Sequence, residues 1–354
     1  MYTELADAVL HSGERIAVGV VEPCGDTVWR PLVEGLLGHK SPVNRLHVSA
    51  AFRGPLDDLQ TLFYLGVVQG EPVTVAMLAG AHGAAIYGHV FTRPDWRRRG
   101  AAAALHSVLA ADWRRRGYRV VTLGTDADGH ARRLYEGIGF QQIRPGAGDM
   151  VWRDAPEAAL PGSSPDMGVS PLRWDDWGWV SEALCAPLEP GEELPRSLLF
   201  RVRQPHYVDW PFIAALTGLG EPPSPKPDVR VLRQGRRAVG WAALLPDAAR
   251  ALGAAALDLY LRPGARSEDA AHALFAALPW PEMPVVHACT TGEGYRAVAL
   301  ARHGFMRLAH WPGWWNAGRG VEALALWVRA AGSPCGRPRG GGRPHRIGRP
   351  GRGR

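Results

Sequence analysis

Trp96-Arg97-Arg98-Arg99-Gly100 and Trp113-Arg114-Arg115-Arg116-Gly117 set the same pentapeptide at both ends of an alanine-rich stretch. Between the copies, Leu105, Val108, Leu109 and Trp113 repeat at helical spacing, and Ala101 to Ala104 have high helix propensity. The spacing predicts a helix over 101–116. At its end the second arginine triplet complements the negative pole of the macrodipole, and Gly117 can take the left-handed conformation that closes a helix. At its start the first triplet faces the positive pole, where each exposed cation costs about 0.3–1 kcal/mol unless something negative is near. Free N–H groups at a helix start bind phosphate, Gly100 allows close approach, and Ala101, Ala102 and Ala103 leave the first turn bare. Arg97, Arg98 and Arg99 then become counter-charges, and a pyrophosphate satisfies the whole arrangement.

The elements that hold this turn alternate in type. A strand is expected at 15–21, a helix over 29–37 and an irregular span over 38–60, followed by strands at 63–68, 73–78 and 85–92 that read as a meander with Gly-containing turns. After the 101–116 helix come a strand at 119–123, a short helix over 129–137 and a last strand over 141–152. The fold class is α/β with a mixed sheet. Residues 155–168, rich in Pro, Gly, Ser and Ala, read as a linker. Beyond them the order repeats: strands at 229–232, 238–245 and 255–261, a helix over 269–278, a strand at 285–288 and a helix over 294–301. Arg262-Pro263 aligns with Arg93-Pro94 and His303-Gly304-Phe305 with Ile138-Gly139-Phe140, so the chain reads as a duplicated domain. The expected division is 1–154, a linker at 155–168, 169–330, and a basic tail at 331–354.

Composition limits the function classes. At 354 residues with 46% hydrophobic content, the chain is long enough for two full cores. Its net charge of +7 comes from the tail, where residues 331–354 hold seven arginines and no acid. That segment is expected to be disordered, and a loose RNA contact through it is the one nucleic-acid role the charge suggests. No apolar run reaches membrane length and the start lacks a signal-peptide pattern, so a cytoplasmic protein without membrane contact is the expectation. Cys24, Cys185, Cys289 and Cys335 have no metal-binding spacing, which predicts reduced thiols and no metal. The oligomeric state is open.

Two segments carry a family resemblance. Val90-Phe91-Thr92-Arg93-Pro94 followed by Arg97-Arg98-Arg99-Gly100-Ala101-Ala102 is similar to the strand, proline and (Gln/Arg)-x-x-Gly-x-(Gly/Ala) motif of the GNAT superfamily of acyl-CoA-dependent N-acetyltransferases. Asp128-Gly129-His130-Ala131-Arg132-Arg133-Leu134-Tyr135 through Gly139-Phe140 resembles its second motif, with Asp128 where the family often has Asn. Two motifs in this order identify residues 10–153 as GNAT-like. The resemblance implies acetyl-CoA, or another acyl-CoA, as co-substrate and the primary amine of a small molecule or peptide as acceptor. It implies that backbone groups of Val90, Phe91 and Thr92 receive the pantetheine arm after the strand splays from its neighbour near Thr122, and that residues 98–103 wrap the pyrophosphate. It makes Tyr135 the general acid for the departing thiolate. The general base is not fixed by a motif; His89, Tyr87, Glu71 and a water chain are the alternatives. Asp128 is expected to cap the short helix and touch the cofactor.

In the repeat, Arg266 stands for Arg97, Glu268 for Arg99, Asp269 for Gly100 and Leu300 for Tyr135. Two carboxylates at an anion site repel the ligand and leucine donates no proton, so the second domain is expected to be a degenerate GNAT-like scaffold, lid or substrate wall. Two other classes fit the same residues: a non-catalytic acyl-CoA-binding module, and an acyltransferase acting on an RNA- or ribosome-associated substrate through the tail.

Overall fold

A computed structural model describes residues 1–126, 128–143, 146, 148–154, 166–186, 197–200, 209–218, 226–246, 254–280, 285–291, 294–316 and 321–330. The expected tail, Cys335 and most of the expected linker lie outside the described residues.

The first unit is built on β1 (Tyr2–Val9), β2 (Arg15–Val21), α1 (Arg30–Leu36), α2 (Pro42–Arg53), β3 (Gln60–Val68), β4 (Glu71–Ala81), β5 (Ala84–Thr92), α3 (Ala101–His106), α4 (Leu109–Arg115), β6 (Val120–Gly124), α5 (His130–Gly137), β7 (Gln141–Gln142) and β8 (Asp149–Arg153). Its eight strands lie in the order β1-β2-β3-β4-β5-β6-β8-β7. Neighbours are antiparallel except β5 and β6, which run parallel. The second unit has β9 (Met167–Pro171), α6 (Trp177–Cys185), α7 (Asp209–Thr217), β10 (Asp228–Gln234), β11 (Arg237–Pro246), β12 (Ala254–Leu261), α8 (Glu268–Ala277), β13 (Val285–Thr290), α9 (Tyr295–Arg302), β14 (Met306–Asn316) and β15 (Val321–Ala330). Its order, β14-β15-β13-β12-β11-β10-β9, reproduces the first sheet from β7 back to β2, with β12 and β13 the parallel pair. The chain is a mixed α/β pair of sheets, as the repeated order predicts.

Several expectations are corrected. The span 38–60 holds α2, which Ser41 caps by accepting from the Asn44 amide and which Pro42 opens; a Ser-Pro start is a helix signal in its own right. The single helix expected over 101–116 is two, α3 and α4, because Ser107 turns its hydroxyl back on the Ala104 carbonyl at 2.8 Å and interrupts the ladder. The chain start forms the edge strand β1, whose half-exposed pattern and charged Glu4 and Asp7 hide its strand character. Strand β9 begins inside the segment expected as linker, and 141–152 holds two strands rather than one.

The two units share a core. Val21, Phe63, Val75, Met77 and Ile86 on one face of the first sheet join Val229, Val231, Trp241 and Tyr260 of the second in one buried cluster, with Trp177, Trp179, Phe200 and Phe212 between them. Helix α6 is buried from Trp177 to Ala183, with Ser181 and Glu182 its polar side chains, and it crosses β4, β5, β6 and β8 of the first unit. Gly178 permits this: a Cβ there would stand 2.4 Å from the Ala84 carbonyl oxygen and 2.8 Å from the Ala85 nitrogen. Polar contacts fix the angle of approach. Glu182, buried, pairs with Arg153 of the first unit at 3.1 Å and with Arg262 of the second. At the other end of α6, His82, Asp57 and Asp58 meet Arg173, Asp175 and Arg236; Arg173 lies 3.0 Å from Asp175 and Arg236 3.1 Å from Asp58. Asp58, His82 and Asp175 bring donor atoms within 4.8 Å of one another, a metal-like grouping, but the two arginines already neutralise these carboxylates.

Candidate active site

Strands β5 and β6 pair only at Ala84, Ala85 and Ile86, opposite Val120, Val121 and Thr122. β5 runs on to Thr92 and β6 to Gly124, so the two separate past Ile86 and Thr122. A bulge between Val75 and Met77 in the β4–β5 ladder adds to the divergence, and His89 there has φ of +51°, the left-handed region. A cleft of about 350 Å³ opens at this point. Residues 86–90 of β5, residues 122–126 of β6 and its loop, Tyr135 of α5, Asp149 of β8, Lys40 and Asn44 near α2, and Ser181 and Cys185 of α6 line it.

His89 is 7% exposed, and its Nε2 has no hydrogen-bond partner. Burial, helped by the charges of Lys40 and His39, lowers its pKa to about 3, so the imidazole is neutral at ordinary pH. A buried polar atom without a partner is uncommon in a folded protein and marks a place where a ligand group can bond. Tyr135 is buried on α5, its ring centroid 6.0 Å from that of Tyr87 and 6.1 Å from that of Phe140. Those rings hold Tyr135 against the cleft.

Of the other base candidates, Tyr87 lines the cleft, but its hydroxyl is engaged 2.8 Å from His106 Nε2. His106 Nδ1 lies 2.7 Å from the Ala102 carbonyl and must donate to it, which leaves Nε2 as acceptor and Tyr87 as donor. Tyr87 thus locks α3 to the sheet. Glu71 is exposed, bound to Arg93 at 3.0 Å and outside the cleft. Of the three side chains, His89 and Tyr87 line the cleft and Glu71 does not.

The arginine turn differs in detail from the sequence reading. Arg99 is neutralised by Glu14 of the β1–β2 turn at 3.1 Å and lies over Trp96, so one of the three cations has its counter-charge within the protein. Arg97 donates to the Thr92 carbonyl at 3.1 Å and stays exposed, and Arg98 is exposed with φ of +61°. Among the described residues neither has an ion pair. Gly100 has φ of +95° and is the N-cap residue of α3. A Cβ on it would point at the His11 ring, 3.5 Å away, so backbone conformation is the stronger reason for glycine here. Ala101, Ala102 and Ala103 open α3 as expected.

The cleft thus brings together His89, Val90 and Tyr135; Phe91, Thr92, residues 97–103 and Asp128 lie outside its lining. Asp128 is corrected as a cap: Gly129 holds the N-cap position of α5 with no side-chain cap, and the exposed Asp128 lies one residue before it. Sequence reading missed Ser181, Cys185, Lys40 and Asn44. Only the Ser-Pro start of α2 could have pointed to the last two.

In the second unit, Glu268 and Asp269 occupy the first turn of α8, where Ser267 caps by accepting from Ala270 N and the acids complement the dipole. Glu268 also pairs with Arg302 of α9, bridging the two helices over a cavity of about 280 Å³. Leu300, at the position of Tyr135, is buried in the core.

Residues 64–147 match the family model described as FR47-like protein, a GNAT-related family. Over those residues the first unit is similar to that family. Among solved structures, the ribosomal-protein-S5-alanine acetyltransferase of Vibrio fischeri is 13% identical, matching 47% of this chain and 93% of its own with a TM-score of 0.36. The GNAT domain of S. lividans PAT is 18% identical over 42% of this chain and 96% of its own, TM-score 0.33. Escherichia coli YhbS, solved in complex with CoA, is 17% identical over 45% of this chain and 89% of its own, TM-score 0.33. No curated protein matches the chain. The matched segment of the GNAT-like unit runs from β3 to the loop after β7 and so includes both motifs, β5, β6, Tyr135 and His89. No helix among the described residues is long and apolar enough to cross a membrane.

Proposed function

We propose that the first unit is an N-acetyltransferase that moves an acetyl group from acetyl-CoA to the primary amine of a small molecule or peptide. One observation supports this reading: the parallel strands part after Ile86 and Thr122, and the resulting cleft is lined by Tyr135 and by His89, whose buried Nε2 has no hydrogen-bond partner.

The residues present suit acyl-CoA. Past Ile86 the edge of β5 that faces β6 has no strand partner, while Phe91 and Thr92 stay paired to β4; that edge offers backbone groups to an extended amide-bearing arm, and Arg97, Arg98 and the amides through Ala103 offer cationic and N–H contacts to a pyrophosphate. When bound, the thioester supplies an activated acyl carbonyl. The attacking amine passes its proton to His89 or to a water chain, with burial keeping the His89 imidazole neutral beforehand. Tyr135 donates its hydroxyl proton to the leaving thiolate. The β5 backbone N–H groups stabilise the oxyanion between these steps. The second unit takes no acyl-CoA, because Glu268 and Asp269 replace Arg99 and Gly100 and Leu300 replaces Tyr135. The protein acts in the cytoplasm.

Incubation with acetyl-CoA and a library of primary amines, read by free-thiol release, tests the reading. Tyr135→Phe is expected to lower kcat by about 10²–10⁴ while leaving CoA uptake in place. Unchanged turnover in that variant removes the role given to Tyr135. Uptake of acetyl-CoA with no turnover of any amine makes the unit a binding module instead.

A further inference from the structure

Helix α6 belongs to the second unit by sequence and to the first by position. Ser181 Oγ lies 2.8 Å from Thr122 Oγ1, and Thr122 is the last β6 residue paired with β5 before the strands part. Ser181 therefore stands at the apex of the opening. Cys185 follows one helical turn later, four residues along, and so shares the face of Ser181. It lines the cleft together with Tyr135 and His89, and it also lines a second cavity of about 290 Å³ formed by Gly139, Gln141, Gln142, Ile143, Val151 and Arg153. The cysteine thus divides two spaces. Its position is fixed from both sides, since Gly178 brings the helix against the β5 backbone and Glu182 binds Arg153 and Arg262. The unpartnered, buried His89 Nε2 in the same cleft is an independent sign that a ligand group enters there.

We propose that the acyl group and the acceptor amine react in a composite pocket, with the strands of the first unit on one side and Ser181 and Cys185 of the second on the other, and that Cys185 sets how far an acceptor can extend beyond the reaction point. This rests on the acetyltransferase reading of the first unit. On it, the degenerate unit is retained because the working unit lacks a wall without it. An acceptor small enough to end at Cys185 fits the first cleft alone; a longer one must pass the thiol into the cavity bearing Gln141 and Gln142, whose amides suit a polar or peptide-like remainder. Shortening Cys185 joins the two spaces, and enlarging it closes the passage.

The test is a footprint on the full chain. Alkylation of Cys185 by N-ethylmaleimide is followed by peptide mass spectrometry with and without saturating acetyl-CoA, with the exposed Cys24 as internal control. The expected result is at least a tenfold slowing at Cys185 and none at Cys24. Acetyl-CoA uptake seen by calorimetry with an unchanged rate at Cys185 overturns the composite pocket while leaving the acetyltransferase reading intact; absence of uptake overturns both. A second arm uses the amine that turns over fastest: Cys185→Trp is expected to raise its KM at least tenfold, and Cys185→Ala to admit longer amines that the parent protein does not turn over. Equal KM values in all three proteins refute the role of Cys185.

Discussion

Gly178→Ala sets two effects of opposite sign against each other. Helix propensity alone favours the substitution by about 1 kcal/mol, because Gly178 lies within α6. The added methyl, however, would stand 2.4 Å from the Ala84 oxygen and 2.5 Å from its carbonyl carbon, where contact normally begins near 3.4 Å. Backbone atoms inside a sheet cannot swing aside as a side-chain tip can, so α6 must lift by roughly 1 Å. That movement loosens Trp177, Trp179, Val180 and Ala183 in the shared core, an overpacking cost of about 1–3 kcal/mol. It also stretches the Ser181–Thr122 bond, worth about 1 kcal/mol, and leaves Glu182 less well paired while still buried, which adds a similar or larger amount. The losses exceed the propensity gain by about 2–4 kcal/mol. Chemical denaturation of the variant and the parent, followed by far-UV circular dichroism, measures the difference as a lowered midpoint. A variant as stable as the parent, or more so, would show that α6 does not rest on β5 as described, and the composite pocket would lose its support.

Three further outcomes follow. His47, His89 and His106 are buried, and burial lowers their pKa values to about 3, about 3 and about 4; the unfolded chain binds their protons near pH 6.5 while the folded chain refuses them. Stability should therefore fall as pH drops below about 6.5, by about 1.4 kcal/mol per pH unit for each such group until its folded pKa is reached, and a flat profile between pH 6.5 and 5 in thermal melts would contradict their burial. Asp112, buried on α4, accepts from the Tyr64 hydroxyl at 2.6 Å and from Arg116 at 2.7 Å. Asp112→Ala strands a buried phenol and should cost about 2–4 kcal/mol in urea unfolding, with no loss counting against the network. Gly100→Asp places a carboxylate at a residue with φ of +95° beside the two arginines without ion pairs; calorimetry should show at least tenfold weaker uptake of acetyl-CoA, and equal affinity would remove the pyrophosphate from this turn.

Much of the first unit can be read from the chain alone because its signals are local. The arginine turn at 97–99 with Gly100, the phase of Leu105, Leu109 and Trp113 toward the core, and the position of Tyr135 ahead of Gly139-Phe140 each depend on residues a few places apart, and hydrophobic periodicity reports such relations. The repeated element order is legible for the same reason, as is the replacement of arginine and glycine by Glu268 and Asp269 at the start of α8. Weaker local signals were lost: β1 is a half-exposed edge, and the Ser-Pro start of α2 lay inside a polar span.

What tertiary structure alone decided is the meaning of residues whose partners are far away along the chain. Glu14 neutralises Arg99 from 85 positions away, and no pattern around the arginine triplet announces that one of its charges is already balanced. Gly178 in sequence is a weak spot in a helix, and only its approach to Ala84 makes it a packing requirement. Ser181 reaches Thr122 across 59 residues. An apolar, tryptophan-rich helix tells the chain to bury it, but the hydrophobic effect has no direction. Whether that helix would cover its own sheet, its neighbour's, or both was settled by steric fit and by the buried pairing of Glu182 with Arg153 and Arg262.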